Sequence, residues 1–97
     1  MEMVVDETYR FDDESYRHLG AAGVGWQSAL DVLHARPRLR QHLGGVLRVA
    51  AADRDGRWLT VALVEEGDDG YLVVSARDLS DAERATVRRL IGEGGSA

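Results

Sequence analysis

The stretch that decides the fold is Val46-Leu47-Arg48-Val49-Ala50-Ala51-Ala52, then Asp53-Arg54-Asp55-Gly56, then Arg57-Trp58-Leu59-Thr60-Val61-Ala62-Leu63-Val64-Glu65. Two runs rich in aliphatic, β-branched and aromatic side chains flank a polar turn in which Gly56 tolerates a positive φ, so the segment reads as a β-hairpin. In its second strand Trp58, Thr60, Ala62 and Val64 fall on one face and Leu59, Val61 and Leu63 on the other. Apolar character on both faces predicts a central strand, or a sheet whose second face is covered by a helix or another subunit. A second polar turn, Glu66-Gly67-Asp68-Asp69-Gly70, leads into a third strand from Tyr71 to Arg77, completing an antiparallel meander.

Helices are expected on either side of this meander. Downstream, Ser80 and Glu83 stand at capping-box spacing, and Val87, Leu90 and Ile91 supply a face for the sheet. Residues Gly92 to Ala97 read as a flexible tail. Upstream, Tyr9 to Phe11 reads as a short edge strand, the fourth of the sheet, after which Asp12 or Asp13 caps a helix to about Leu19 with Tyr16 and Leu19 as its apolar stripe. The run Gly20-Ala21-Ala22-Gly23-Val24-Gly25 breaks that helix, because glycine is unfavourable in a helix interior. Trp26, Ala29, Leu30 and Leu33 then recur at three- and four-residue intervals, predicting a second helix with one buried face that ends before Pro37. Arg38 to Leu43 stays open, an added helical turn being one option. The expected class is α+β: one domain over residues 1–97 with two N-terminal helices, a three-stranded antiparallel meander and a C-terminal helix.

The chain has 97 residues, 12 basic and 17 acidic, for a net charge of −5. That length leaves room for one domain. The absence of cysteine excludes a disulfide scaffold, thiolate metal sites and cysteine nucleophiles, and fits a reducing compartment. No apolar run approaches the roughly 18 residues of a membrane span, and the acidic start lacks the features of an export signal, so the expected location is the cytoplasm, without a membrane partner. Charge is blockwise. Glu2, Asp6, Glu7, Asp12, Asp13 and Glu14 outweigh Arg10 and Arg17 at the start, whereas Arg36, Arg38, Arg40, Arg48, Arg54 and Arg57 outweigh Asp53 and Asp55 in the middle. All basic residues are arginine, whose guanidinium forks suit carboxylates and phosphates.

Few residues present a chemical pattern. His18, His34 and His42 lack metal-ligand spacing, and Gly20, Gly23 and Gly25 follow no strong strand, so they read as linker residues and no cofactor is expected. Asp12-Asp13 and Asp68-Asp69 read as cap and turn acids rather than magnesium ligands. Arg77 ends an apolar strand just before a helix whose first turn carries Glu83, an edge suited to a phosphate or a partner's carboxylate. A local structural pair between Arg77 and Glu83 is the competing reading. Arg84 and Arg88 share a helix face, extended by Arg89.

The order Phe11-Asp12-Asp13-Glu14, Gly23-Val24-Gly25-Trp26 leading into Ala29-Leu30-Asp31-Val32-Leu33, then Val74-Ser75-Ala76-Arg77 and Ser80-Asp81-Ala82-Glu83-Arg84 resembles the BrnT family. Those proteins are small toxins of type II toxin-antitoxin modules with a RelE/ParE-like fold, and the resemblance spans residues 9–89. It implies a ribonuclease that arrests translation without a metal and is neutralised by a DNA-binding cognate antitoxin, in a homodimer or a toxin-antitoxin hetero-oligomer. By the same carry-over Arg77, Glu83 and Arg84 are the expected site positions: Arg77 contacts phosphate and Glu83 acts as a base or holds an arginine. Arg48 or Arg57 of the hairpin, which no family position marks, supplies a second cation, and Arg77, Glu83 and Arg48 are taken together as the expected catalytic set. Arg57, Arg84 and Arg88 are the expected RNA- or partner-binding residues. Three positions depart from the family pattern: Ala21 and Ala22 replace a basic residue and a histidine before Gly23, and Val46 replaces a basic residue early in the first meander strand. The alternative is therefore a diverged, non-catalytic protein-binding module that keeps the toxin fold. Convergence of Arg77, Glu83 and a hairpin arginine in one groove separates the first reading from the second.

Overall fold

A computed structural model of the chain describes residues 8–67 and 70–94. Its elements are β1 (Thr8–Arg10), α1 (Asp13–Ala21), α2 (Trp26–Leu33), β2 (Leu39–Leu43), β3 (Val46–Ala52), β4 (Trp58–Glu66), β5 (Gly70–Asp78) and α3 (Asp81–Gly94). The strands form one sheet in the order β1-β5-β4-β3-β2, which makes β4 central, as its two apolar faces predict. It runs antiparallel to β3, with Val61 opposite Val49, and to β5, with Thr60 opposite Arg77. The hairpin turn is organised by the buried Asp53, whose Oδ1 accepts from the backbone N–H groups of Asp55 and Arg57, both at 2.9 Å, while Gly56 takes φ 87°.

The sheet is wider than the meander. Arg38 to Leu43 is mostly strand, not a helical turn: β2 pairs with β3 across the two-residue connection Gly44-Gly45, where Gly44 has φ 64°. Arg40, Gln41 and His42 interrupt the apolar alternation that would announce a strand, so its pairing with β3 decides its conformation. At the other edge β1 occupies Thr8–Arg10 and runs parallel to β5.

One face of the sheet is closed by α1 and α2. Leu47, Val49 and Ala51 of β3, Leu59, Val61 and Leu63 of β4 and Val73 of β5 are buried with Leu19, Ala29, Val32 and Leu33 of the helices. Each large aliphatic side chain so buried contributes about 1.5–3 kcal/mol. The expected helix stripes need correction. Tyr16 is 50% exposed and Trp26 45% exposed, while Ser15 and Leu19 face inward from α1 and Ala29, Val32 and Leu33 from α2. Asp12 is the N-cap, and Ser15 completes a reciprocal capping box with it while its hydroxyl also donates to the buried Val73 carbonyl, which turns the neighbouring Tyr16 outward to stack on Phe11. The helix also continues through Gly20 to Ala21 before Gly23, at φ 72°, ends it.

On the opposite face α3 covers only part of the sheet. It includes Gly92 and continues to Gly94, so the start of the expected tail is helical, while residues 95–97, like Asp68 and Asp69, lie outside the described residues. Among the described residues no helix is long and apolar enough to cross a membrane.

A β-bulge in β5 fixes which side chains reach that second face. Ala62 lies opposite Ser75 and Leu63 opposite Val73, so Val74 is an extra residue. Tyr71 and Val73 therefore point into the core and Ala76 returns to it, but Ser75 and Arg77 turn to the α3 side. Unbroken alternation would have placed Arg77 with Val73, against the apolar core.

Candidate functional site

Arg48, Thr60 and Arg77 meet at the centre of the α3-side face. Thr60 of β4 lies opposite both Arg77 of β5 and Ala50 of β3, and Arg48 is two residues before Ala50 on the same strand face. These three line a groove of about 300 Å³ under α3 with Gln41, Glu83 and Thr86 and an apolar wall that includes Leu39, Ala50, Val87 and Leu90. The same three also line a second hollow of about 540 Å³, bounded by His18, Ala21 and Ala22 of α1 and by Val74, Ser75 and Ala76 of β5. The two hollows are one surface running from α3 to α1, with the two guanidinium groups at its middle.

Glu83 has two sets of partners. As the acidic member of a capping box it accepts the Ser80 N–H at 2.9 Å through Oε1, while its own N–H donates to Ser80 Oγ at 3.1 Å. Arg77 Nη1 and Nη2 also donate to Glu83 Oε1 and Oε2 at 2.8 and 2.9 Å, a bidentate pair. The Arg77 hydrogen bonds, followed by the Ser80 N–H, hold the Glu83 carboxyl down to about 2. A carboxylate stabilised to that degree is a weak proton acceptor and a good positioner of its arginine. Arg77 is raised in return, mainly by the same hydrogen bonds.

Arg48 differs. It is half-buried and forms no hydrogen bond or ion pair among the described residues, so its five N–H donors face the groove uncommitted. Arg57 lies outside the groove: its Nε and Nη2 donate to Asp78 at 2.7 and 2.9 Å, and its Nη1 donates to the Gly23 carbonyl at 3.0 Å. It ties the hairpin to the end of β5 and to the α1–α2 connection, and the pairing raises Arg57 and lowers Asp78. Arg84 pairs with Asp81 at 3.0 Å, and Arg88 is exposed; neither lines the groove. The structure thus brings Arg48, Arg77 and Glu83 together and places Arg57, Arg84 and Arg88 elsewhere.

In the sequence His18 is only one of three histidines without metal spacing, yet it lines the α1 end of this surface. Its Nδ1 lies 3.2 Å from the Val74 carbonyl oxygen. Nothing in the sequence marks that contact, because it depends on α1 lying along the bulged part of β5. Among the described residues no three histidine or acidic side chains cluster as a metal site would require.

A five-stranded sheet with two helices on one face and a C-terminal helix partly covering the other is the RelE/ParE-like fold. A solved structure that shares it is the ribonuclease toxin BrnT of Brucella abortus, with a TM-score of 0.60 and 12% sequence identity, covering 78% of this chain and 100% of that chain. At such identity the likeness is one of fold. No protein-family model matches the sequence, and no curated protein matches it.

Proposed function

We propose that this protein is the toxin-like component of a type II toxin-antitoxin module and acts as a metal-independent endoribonuclease that inhibits translation. The observation that carries the reading is the convergence of Arg48 and Arg77, with Thr60 between them, in one accessible groove. The fold shared with a chain named as a ribonuclease toxin supports the class. In this reading the two guanidinium groups bind the scissile phosphate and stabilise the charge that accumulates as a ribose 2′-hydroxyl attacks it. Glu83 holds Arg77 in place; it is a positioning residue. Arg84 and Arg88, on the outer side of α3, extend the cationic surface for RNA or for the carboxylates of a cognate antitoxin, and Arg57 secures the hairpin that carries Arg48. The blockwise charge fits this use, since a net charge of −5 limits non-specific attraction to nucleic acid while the groove stays cationic.

A second reading has its own observation. Val46, Ala62 and Val64 are only half-buried on the α3-side face and Leu43 is 58% exposed, which suits a non-catalytic module that pairs with a partner protein or a second copy. Induced expression decides between them. The ribonuclease reading expects growth arrest and RNA loss, both relieved by Arg77→Ala and by co-expressed antitoxin. Correctly folded protein that neither arrests growth nor cleaves RNA overturns it and leaves the binding module.

A further inference from the structure

Cleavage of RNA through its own 2′-hydroxyl needs a group to take that proton, and Glu83 is engaged by Arg77 and Ser80. Resting on the ribonuclease reading above, we propose that His18 is the general base of the site. It lines the same hollow as Arg48, Thr60 and Arg77, whereas its helix neighbours there, Ala21 and Ala22, carry no titratable group. The imidazole is half-exposed, so a bound ribose can reach it.

The ring is also oriented. A carbonyl oxygen only accepts hydrogen bonds, so the contact at 3.2 Å to Val74 places the ring proton on Nδ1 and the lone pair on Nε2. Val74 is the extra residue of the bulge, with no register partner in β4, and its carbonyl is the one that meets the ring. The same bulge turns Arg77 to this face. One irregularity in β5 therefore sets both the phosphate-binding arginine and the ring beside it. Ser15, three residues before His18, donates to the adjacent Val73 carbonyl and fixes α1 against the strand. Nε2 stands 3.8 Å from Glu14 Oε1, beyond hydrogen-bond reach, and Glu14 is itself paired with Arg17.

In the reaction Nε2 takes the 2′-hydroxyl proton as the 2′-oxygen bonds to phosphorus. The bond from phosphorus to the 5′-oxygen breaks with its electron pair, the 5′-oxygen takes a proton from water, and the imidazolium returns its proton to the hydroxide so formed. The products are a 2′,3′-cyclic phosphate and a 5′-hydroxyl, with no net proton change.

The test uses the full chain and a labelled single-stranded RNA containing every dinucleotide step, with an all-deoxy copy to measure binding without cleavage. His18→Ala and His18→Asn are compared with wild type after their melting temperatures confirm folding. Asparagine keeps an N–H donor for the Val74 carbonyl but cannot act as the base. We expect both variants to lose kcat by about 100-fold or more with KM and all-deoxy binding unchanged, and added imidazole to restore part of the rate to His18→Ala. Wild-type cleavage with undiminished rates in both variants overturns the role of His18 and leaves the ribonuclease reading standing. Activity retained by His18→Asn alone overturns it in favour of a structural hydrogen bond. Wild-type protein that leaves the RNA intact overturns both the role and the reading on which it rests.

Discussion

The two faces of the sheet are built from alternate residues of the same strands and do opposite things. Toward α1 and α2, β4 presents Leu59, Val61 and Leu63, all fully buried in an apolar core. Toward α3 it presents Thr60 and Ala62, beside an arginine from each neighbouring strand. The first face stabilises the fold by burying apolar side chains, and among the described residues no buried side-chain nitrogen or oxygen lacks a hydrogen-bond partner. On the second, α3 leaves enough of the surface open for Arg48 to remain unpaired, a state too costly for a closed core. Strand alternation thereby separates a closed apolar face from an open, arginine-bearing one within a chain of 97 residues.

That separation can be broken at its strongest point by Leu63→Ala. A cavity in the closed face is expected to cost about 2–5 kcal/mol in urea unfolding, and a loss below about 1 kcal/mol would show that the face is not the core of the fold. A smaller effect belongs to the open face and depends on pH. The Glu83 carboxyl lies at about 2 in the folded chain against an ordinary 4.5, so it favours folding fully above pH 4.5 and loses that contribution as pH falls through about 2. Melting curves of wild type and Glu83→Gln should therefore differ by a constant amount above pH 4.5 and converge towards pH 2; a gap indifferent to pH would contradict the pairing. Arg48→Ala should have the smallest effect on stability, less than about 1 kcal/mol, because no hydrogen bond or ion pair is lost among the described residues. A larger loss in urea would mean that Arg48 belongs to the framework and blur the distinction between the faces.

Much of the framework is legible in the sequence because local rules and packing agree there. The hairpin over Val46 to Glu65, the faces of β4 and the Ser80–Glu83 capping box all follow from short-range patterns. β2 is not legible because Arg40, Gln41 and His42 mask its alternation, although Gly44-Gly45 is a competent two-residue turn. Trp26 shows the opposite case: its helical spacing fits a core position, but the buried face of α2 is drawn by Ala29, Val32 and Leu33. In the candidate site, the Arg77–Glu83 pair could be anticipated from its position at a strand-to-helix passage. The turn of Arg77 towards Arg48 could not, because it depends on one extra residue in β5 that no local signal announces. The approach of His18 to Val74 depends on that same residue and on the docking of α1.

The double engagement of Glu83 has a consequence for how this molecule can be dissected and how it can change. Its Oε1 answers both to the first turn of α3 and to the guanidinium of Arg77. Removing that carboxylate loosens a helix start and releases an arginine together, so an inactive Glu83 variant reports neither event alone. Drift at this position is constrained twice over: a replacement must satisfy the helix and the arginine at once, and aspartate, one methylene shorter, has less reach with which to serve both.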